Sequence, residues 1–234
     1  MRQDLSIVLL HATPVAIAPI HAAFLADWPE ARLTNLLDDS LTAARGSSND
    51  LSESLRTRFV NVTRYGYESG ADGILATCSA FGPAIEKADA ELPVPVCKPN
   101  AAMFADALAR GKNLAMFVTI EPALPTMVTE FFSEASRTNP HATLATFVVD
   151  DAMERLSAGD SETHNCLVAR KAASLHGYDA IMLAHFSTAQ ALDAVTSVAS
   201  CPVFSAPRSA VAVSIVSGNT VIFVRAATRV QSAR

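Results

Sequence analysis

Gly70-Ala71-Asp72-Gly73-Ile74-Leu75-Ala76-Thr77-Cys78 and Gly177-Tyr178-Asp179-Ala180-Ile181-Met182-Leu183-Ala184-His185 are two versions of one phrase. Each sets a glycine, an acid two residues on, a short apolar run and then a side chain able to exchange a proton. The offset is 107 residues at both ends (177 − 70 and 185 − 78) and holds without a gap to Pro95-Val96 against Pro202-Val203. An apolar run that ends in a reactive side chain, followed by small residues that can open a helix, is the end of a buried strand. Two such units facing each other place Cys78 and His185 on opposite walls of one cleft.

The rest of the chain fits that frame. Ile7-Val8-Leu9-Leu10, Pro93 to Val96, Leu114 to Val118, Leu144 to Val149 and Val203-Phe204 are further short apolar runs. Their lack of polar alternation predicts strands of parallel sheets covered on both faces. Helical periodicity or start signals mark Ser52 to Ser69, Pro99 to Arg110, Pro122 to Arg137, Ser161 to His176 and Ser187 to Val198. Strand and helix in alternation predict an α/β fold of two pseudo-symmetric lobes, with the active site in the cleft between them. One lobe is expected to hold residues 1–100 and carry Cys78, and the other residues 101–205 and carry His185. Residues 206–234, with the strand-like Thr220 to Val224, are expected to cross back to the first lobe. Gly46-Ser47-Ser48-Asn49 reads as a surface loop.

Half of the 234 residues are apolar, enough for a sizeable core. A formal charge of −5 and no basic run argue against nucleic acid and membrane surfaces as partners. The opening Met1-Arg2-Gln3-Asp4 is unlike a secretory leader, and Leu5 to Leu10 is too short to span a bilayer. Four cysteines without paired spacing read as free thiols in a reducing compartment, so a cytoplasmic protein is expected. No His, Cys or acidic pair recurs at metal-ligand spacing, and no metal is expected.

In open α/β sheets ligands bind beyond the carboxyl ends of the strands. Four such ends carry small polar groups: His11-Ala12-Thr13-Pro14, Thr77-Cys78-Ser79, Thr119-Ile120-Glu121-Pro122 and His185-Phe186-Ser187-Thr188. Helix-opening N–H groups there suit a small carboxylate. A cysteine at a helix N-terminus is expected to have a lowered pKa, and its thiolate is both base and nucleophile; the alternative for Cys78 is a buried structural thiol. His185 stands where the repeat places a second acid–base group, or else it lines the pocket. His11 is read as a lining residue, and Arg208 as a partner for a second carboxylate or a solvent-facing side chain. The remaining cysteines are read as packing residues.

At these residues the chain resembles the aspartate/glutamate racemase superfamily, with its hydantoin racemases, maleate isomerases and arylmalonate decarboxylases. The resemblance runs through Ile74 to Gly82, Ala115 to Pro122, Asp179 to Ala189 and Cys201 to Arg208. It implies two pseudo-symmetric lobes, no cofactor, a small carboxylate substrate and a homodimer. In the family's racemases one cysteine takes the substrate's α-proton and a second returns one from the opposite face. Carried over, Cys78 is the first of these, and the second position holds His185, a departure from the pattern. Thr13, Thr77, Ser79, Thr119 and Ser187 match positions that bind substrate carboxylates. The expected activity is racemisation or epimerisation with a Cys/His pair; single-cysteine decarboxylation or isomerisation of a dicarboxylate, or binding without turnover, are the alternatives.

Overall fold

The acid and the glycine shared by the two phrases have structural reasons. In the computed structural model, which describes residues 5–45 and 51–212, Asp72 Oδ2 accepts the Ser6 N–H at 2.8 Å. Asp179 Oδ2 accepts the N–H groups of Lys112 and Asn113, both at 2.8 Å. Each carboxylate therefore clamps the start of the strand beside its own. Gly70 and Gly177 turn the chain into the clamp with φ of +94° and +80°, a left-handed conformation that a side chain opposes.

The clamped strands are β1 (Ser6–His11) and β5 (Asn113–Val118), and those following the acids are β3 (Gly73–Ala76) and β7 (Ala180–Leu183). With β2 (Arg32–Leu37), β4 (Val96–Cys97), β6 (Thr143–Val148) and β8 (Val203–Ser205) they form two four-stranded parallel sheets. The orders are β2-β1-β3-β4 and β6-β5-β7-β8. The 107-residue offset reaches back to the first strand of each sheet, where Ser6 and Asn113 open β1 and β5 (113 − 6). It holds at the backbone too: Thr77 N–H donates to Leu10 C=O at 3.0 Å, and Ala184 N–H to Phe117 C=O at 3.1 Å. Between β1 and β2 the second copy has gained four residues, because Arg32 and Thr143 are 111 apart (143 − 32).

Helices flank the sheets. In the first half they are α1 (Ile17–Asp27), α2 (Ser40–Arg45), α3 (Glu53–Glu68) and α4 (Gly82–Glu91). Further along come α5 (Ala101–Leu108), α6 (Leu124–Thr138), α7 (Ala152–Ser157), α8 (Ser161–Ala173), α9 (Leu192–Thr196) and α10 (Ala206–Ala212). Ser52 caps α3 by accepting the Leu55 N–H at 3.2 Å, and Asp160 caps α8 through the Thr163 N–H at 3.0 Å.

Alternate residues of the inner strands feed different layers, as period-two side chains must. Val8, Leu10, Ile74 and Ala76 face α3 and α4 with Phe59 and Phe81. Ala115, Phe117, Ile181 and Leu183 face α8 and α9. The opposite faces (Ile7, Leu9, Leu75, Leu114, Met116, Met182) meet in one middle layer with Phe24, Phe104 and Phe131. α10 packs on α1 and α5 and contributes Ala206 and Val211 to that layer.

Several elements differ from the sequence expectation. β2, α1, α2, α4 and α7 carry no strong pattern and emerge only in the fold. The run Pro93 to Val96 pairs only from Val96, since the two prolines have no N–H for the ladder; Pro95 still accepts from Ile74 N–H at 2.9 Å. The loop Gly46–Asn49 and the strand expected at Thr220–Val224 lie outside the described residues. No helix among the described residues is long and apolar enough to cross a membrane.

Candidate active site

Every strand end singled out above opens into a short 3-10 turn before its helix: Pro14–Ala16, Ser79–Phe81, Glu121–Ala123 and Thr188–Ala191. Cys78 and His185 precede the second and fourth of these, at the carboxyl ends of β3 and β7. These strands occupy the same place in the two sheet orders.

The two residues are equivalent in register but not in conformation. Cys78 is extended (φ −133°, ψ 116°), whereas His185 is left-handed at φ 70°. For a side chain that conformation costs about 1–2 kcal/mol. Such strain concentrates where a side chain must be aimed rather than merely packed. Both ring nitrogens of His185 are buried, and neither has a hydrogen-bond partner among the described residues. Burial pushes its pKa down to about 4, so at neutral pH the ring is an uncharged imidazole.

Cys78 reverses a sequence expectation. Burial raises its thiol pKa; the Ala80 N–H and the Arg45 guanidinium pull it back, and Glu130 adds to the rise. Desolvation outweighs the helix-start N–H, so the resting form is a thiol rather than a thiolate. Arg45, absent from the sequence reading, reaches this turn from α2 and donates through Nε to Ala80 C=O at 3.2 Å.

The hydroxyls and histidines around the strand ends form two pairs. His11, fully buried, meets Thr77 Oγ1 through Nδ1 and Asn35 Oδ1 through Nε2, both at 2.9 Å. Since Asn35 Oδ1 only accepts, Nε2 carries the hydrogen, and the Thr77 hydroxyl is shared between Nδ1 and the Leu10 C=O, 3.3 Å away. Burial lowers the His11 pKa, against the Asn35 bond that raises it. In the second sheet the matching positions are Val118 and Ala184, so the polar pair of one copy is replaced by two apolar residues in the other. The second pair, Thr119 and Thr188, joins the ends of β5 and β7 by a hydroxyl contact of 3.2 Å.

Ser79 and Ser187 are buried beside Cys78 and His185, and Phe186 packs into the middle layer. Thr13 is half-buried, with no capping bond from its side chain, and Pro14 is exposed. Arg208 is not directed at a strand end: its Nε and NH2 nitrogens bind Asp27 at 2.9 and 2.6 Å. Two of its N–H groups are held by α1, which sequence could not show because Asp27 lies 181 residues away. Among the described residues no three His, Cys, Asp or Glu side chains gather closely enough to hold a metal ion.

Similar folds occur in solved structures. The aspartate racemase of Picrophilus torridus superposes with a TM-score of 0.62 at 12% identity, over 87% of this chain and 89% of that one. The allantoin racemase of Klebsiella pneumoniae gives 0.63 at 18% identity, over 88% and 84%. A liganded double mutant of arylmalonate decarboxylase gives 0.58 at 16% identity, over 88% of each chain. The chain has the fold of the aspartate/glutamate racemases. No family model matches the sequence, and no curated protein does. At 12–18% identity the likeness is one of fold.

Proposed function

We propose that this protein is a cofactor-independent racemase or epimerase of a small carboxylate, amino-acid-like or hydantoin-like, using Cys78 and His185 as its acid–base pair. The observation that carries the reading is their equivalence in a fold shared with aspartate, glutamate and allantoin racemases. Their protonation states refine it. A neutral imidazole is a base and a protonated thiol is an acid, so His185 takes the α-proton and Cys78 returns one to the other face. The C–H bond breaks toward the imidazole and its electron pair moves into the substrate carboxylate. The thiol proton then forms the new C–H bond. An imidazolium and a thiolate remain, and exchange with solvent restores the neutral pair. The developing charge falls to hydroxyls of Ser79, Thr119 and Ser187 and to N–H groups of the turns, each such donor worth about 3–4 kcal/mol.

Incubation in deuterium oxide with amino acids, hydantoins, maleate and arylmalonates tests this. Deuterium wash-in at the α-carbon with loss of optical activity is expected from one class, and Cys78→Ala is expected to abolish the loss of optical activity. Undiminished racemisation by Cys78→Ala refutes the assignment. A second reading, decarboxylation, is favoured by the thiol's retained proton, which can quench a carbanion after carbon dioxide leaves. Carbon dioxide release from an arylmalonate, unaffected by His185→Ala, would establish it. Tight binding of one compound with neither outcome would make the protein a binder. The homodimer belongs to the same proposal, and sedimentation of the purified protein tests it.

A further inference from the structure

The Arg208–Asp27 ion pair stands in the wall of a hollow that none of these steps uses. A cavity of about 470 Å³ opens where α1, α5, α9 and α10 meet β8. Its volume suits a small molecule. Asp27 ends α1, Asp106 lies on α5, Asp193 on α9 and Arg208 on α10. Three carboxylates therefore face one lining guanidinium, and the wall keeps an excess of negative charge. Asp27 holds that guanidinium at 2.6 and 2.9 Å. The Asp106 and Asp193 carboxylates have no hydrogen-bond or ion-pair partner among the described residues. Arg110, 5.8 Å from the ring of the lining Phe204, offsets only part of the excess. A second feature, independent of the acids, points to the same place. Ser205 ends β8, lines the cavity and is 2% exposed, yet its Oγ has no hydrogen-bond partner among the described residues. A buried hydroxyl left unpaired costs free energy that a bound polar group recovers. Ser205 also lines an adjoining cavity of about 410 Å³, which shares Asp193 and Arg208 with the first. The remaining wall there is largely the alanine face of α1, with Ala18, Ala22 and Ala26.

We propose that this two-part hollow binds a small organic ammonium ion, its charged head held by Asp106, Asp193 and the Ser205 hydroxyl and its apolar body laid on the alanines of α1. An ammonium group brings three donors and no acceptor, and carboxylates offer acceptors only. Hydrogen bonds between charged partners are the strong ones. Trp28 and Phe204 add aromatic rings to the wall, surfaces that such cations favour. A carboxylate ligand is poorly matched, because the lining guanidinium is already bound to Asp27 and two further acids oppose an anion. A bare metal ion is matched no better: among the described residues no three acidic, His or Cys side chains lie close enough to hold one. An extended cation with one polar end meets both halves of the hollow. None of the polar groups it would touch has a role in the reaction proposed above, so the site stands or falls separately from that reaction.

Trp28 is the chain's only tryptophan and lies in the wall, so its emission reports on this cavity. The test is a calorimetric titration of the full chain with phenethylammonium, followed in parallel by Trp28 fluorescence. Phenethyl alcohol and hydrocinnamate serve as the neutral and anionic counterparts of similar shape. Saturable binding of the amine with a change in Trp28 emission is expected, about tenfold or more tighter than either counterpart. Asp193→Asn, at an exposed position, is expected to weaken the amine about tenfold. Asp106→Asn removes the second carboxylate, is expected to do the same, and serves if Asp193→Asn fails to fold. Arg208→Gln removes the competing cation and releases Asp27, and is expected to tighten amine binding. Weaker amine binding in Arg208→Gln, or a preference for hydrocinnamate in the wild type, marks an anion site and overturns the proposal. So do the absence of saturable binding, an equal response to all three probes, or amine affinity unchanged in the folded aspartate variants.

Discussion

Replacing His185 by Gln tests the burial of its ring through stability rather than activity. A group whose folded-state pKa is about 4, against an ordinary histidine value of 6.5, binds its proton more readily in the unfolded chain. Its contribution is therefore complete above pH 6.5, declines as the pH falls from 6.5 to about 4, and is gone below that. The gap of about 2.5 pH units corresponds to about 3 kcal/mol over the whole window, and to about 2 kcal/mol by pH 5. His185→Gln cannot take up that proton, so its stability is expected to fall less steeply with acid. Urea denaturation of both proteins at pH 7, 6, 5 and 4 measures the difference. His11, whose pKa is also lowered by burial, destabilises both proteins in acid and cancels. Glu130 also cancels: its raised pKa gives stability below its unfolded value that is lost as the pH rises through about 7. If the two stability curves run parallel within about 0.5 kcal/mol from pH 7 to 4, the ring is not held neutral by burial and the base assigned to it loses its physical basis.

Two further substitutions address the frame around the site. Thr77→Val removes the hydroxyl that His11 Nδ1 meets inside the first sheet and leaves a buried nitrogen unpaired; a loss of about 1–3 kcal/mol by chemical denaturation is expected. Gly177→Ala forces a side chain into φ +80° at the turn into the Asp179 clamp and is expected to cost about 1–2 kcal/mol, with no loss counting against the clamp's role.

The inner strands were legible because continuous burial makes them apolar at every position: all four residues of β3 and of β7 are buried. β2 was not, since it is an edge strand with Arg32, Thr34, Asn35 and Leu37 exposed and no period-two contrast. α1 hides for the opposite reason: it is apolar nearly all round, with Pro19 inside and no capping side chain, so no face stands out. The full reach of the repeat was concealed because Ser6–His11 and Asn113–Val118 share apolar character but no residue in register. Cys78 and His185 could be singled out because each ends an apolar run. Nor does a sequence announce that one member of a matched pair is left-handed.

The shared middle layer carries a consequence for how such a chain can arise. Each half has its own sheet and outer helices, yet the inward face of each sheet is covered only by the other half and the helices between them. A chain severed between β4 and β5 would yield two products with bare greasy surfaces, neither able to stand alone in water. A half-length ancestor would therefore have had to shield itself with a second copy, in the manner of a twofold pair. Joining the two genes would have freed each half to drift, so that the two strand ends now carry a thiol and an imidazole.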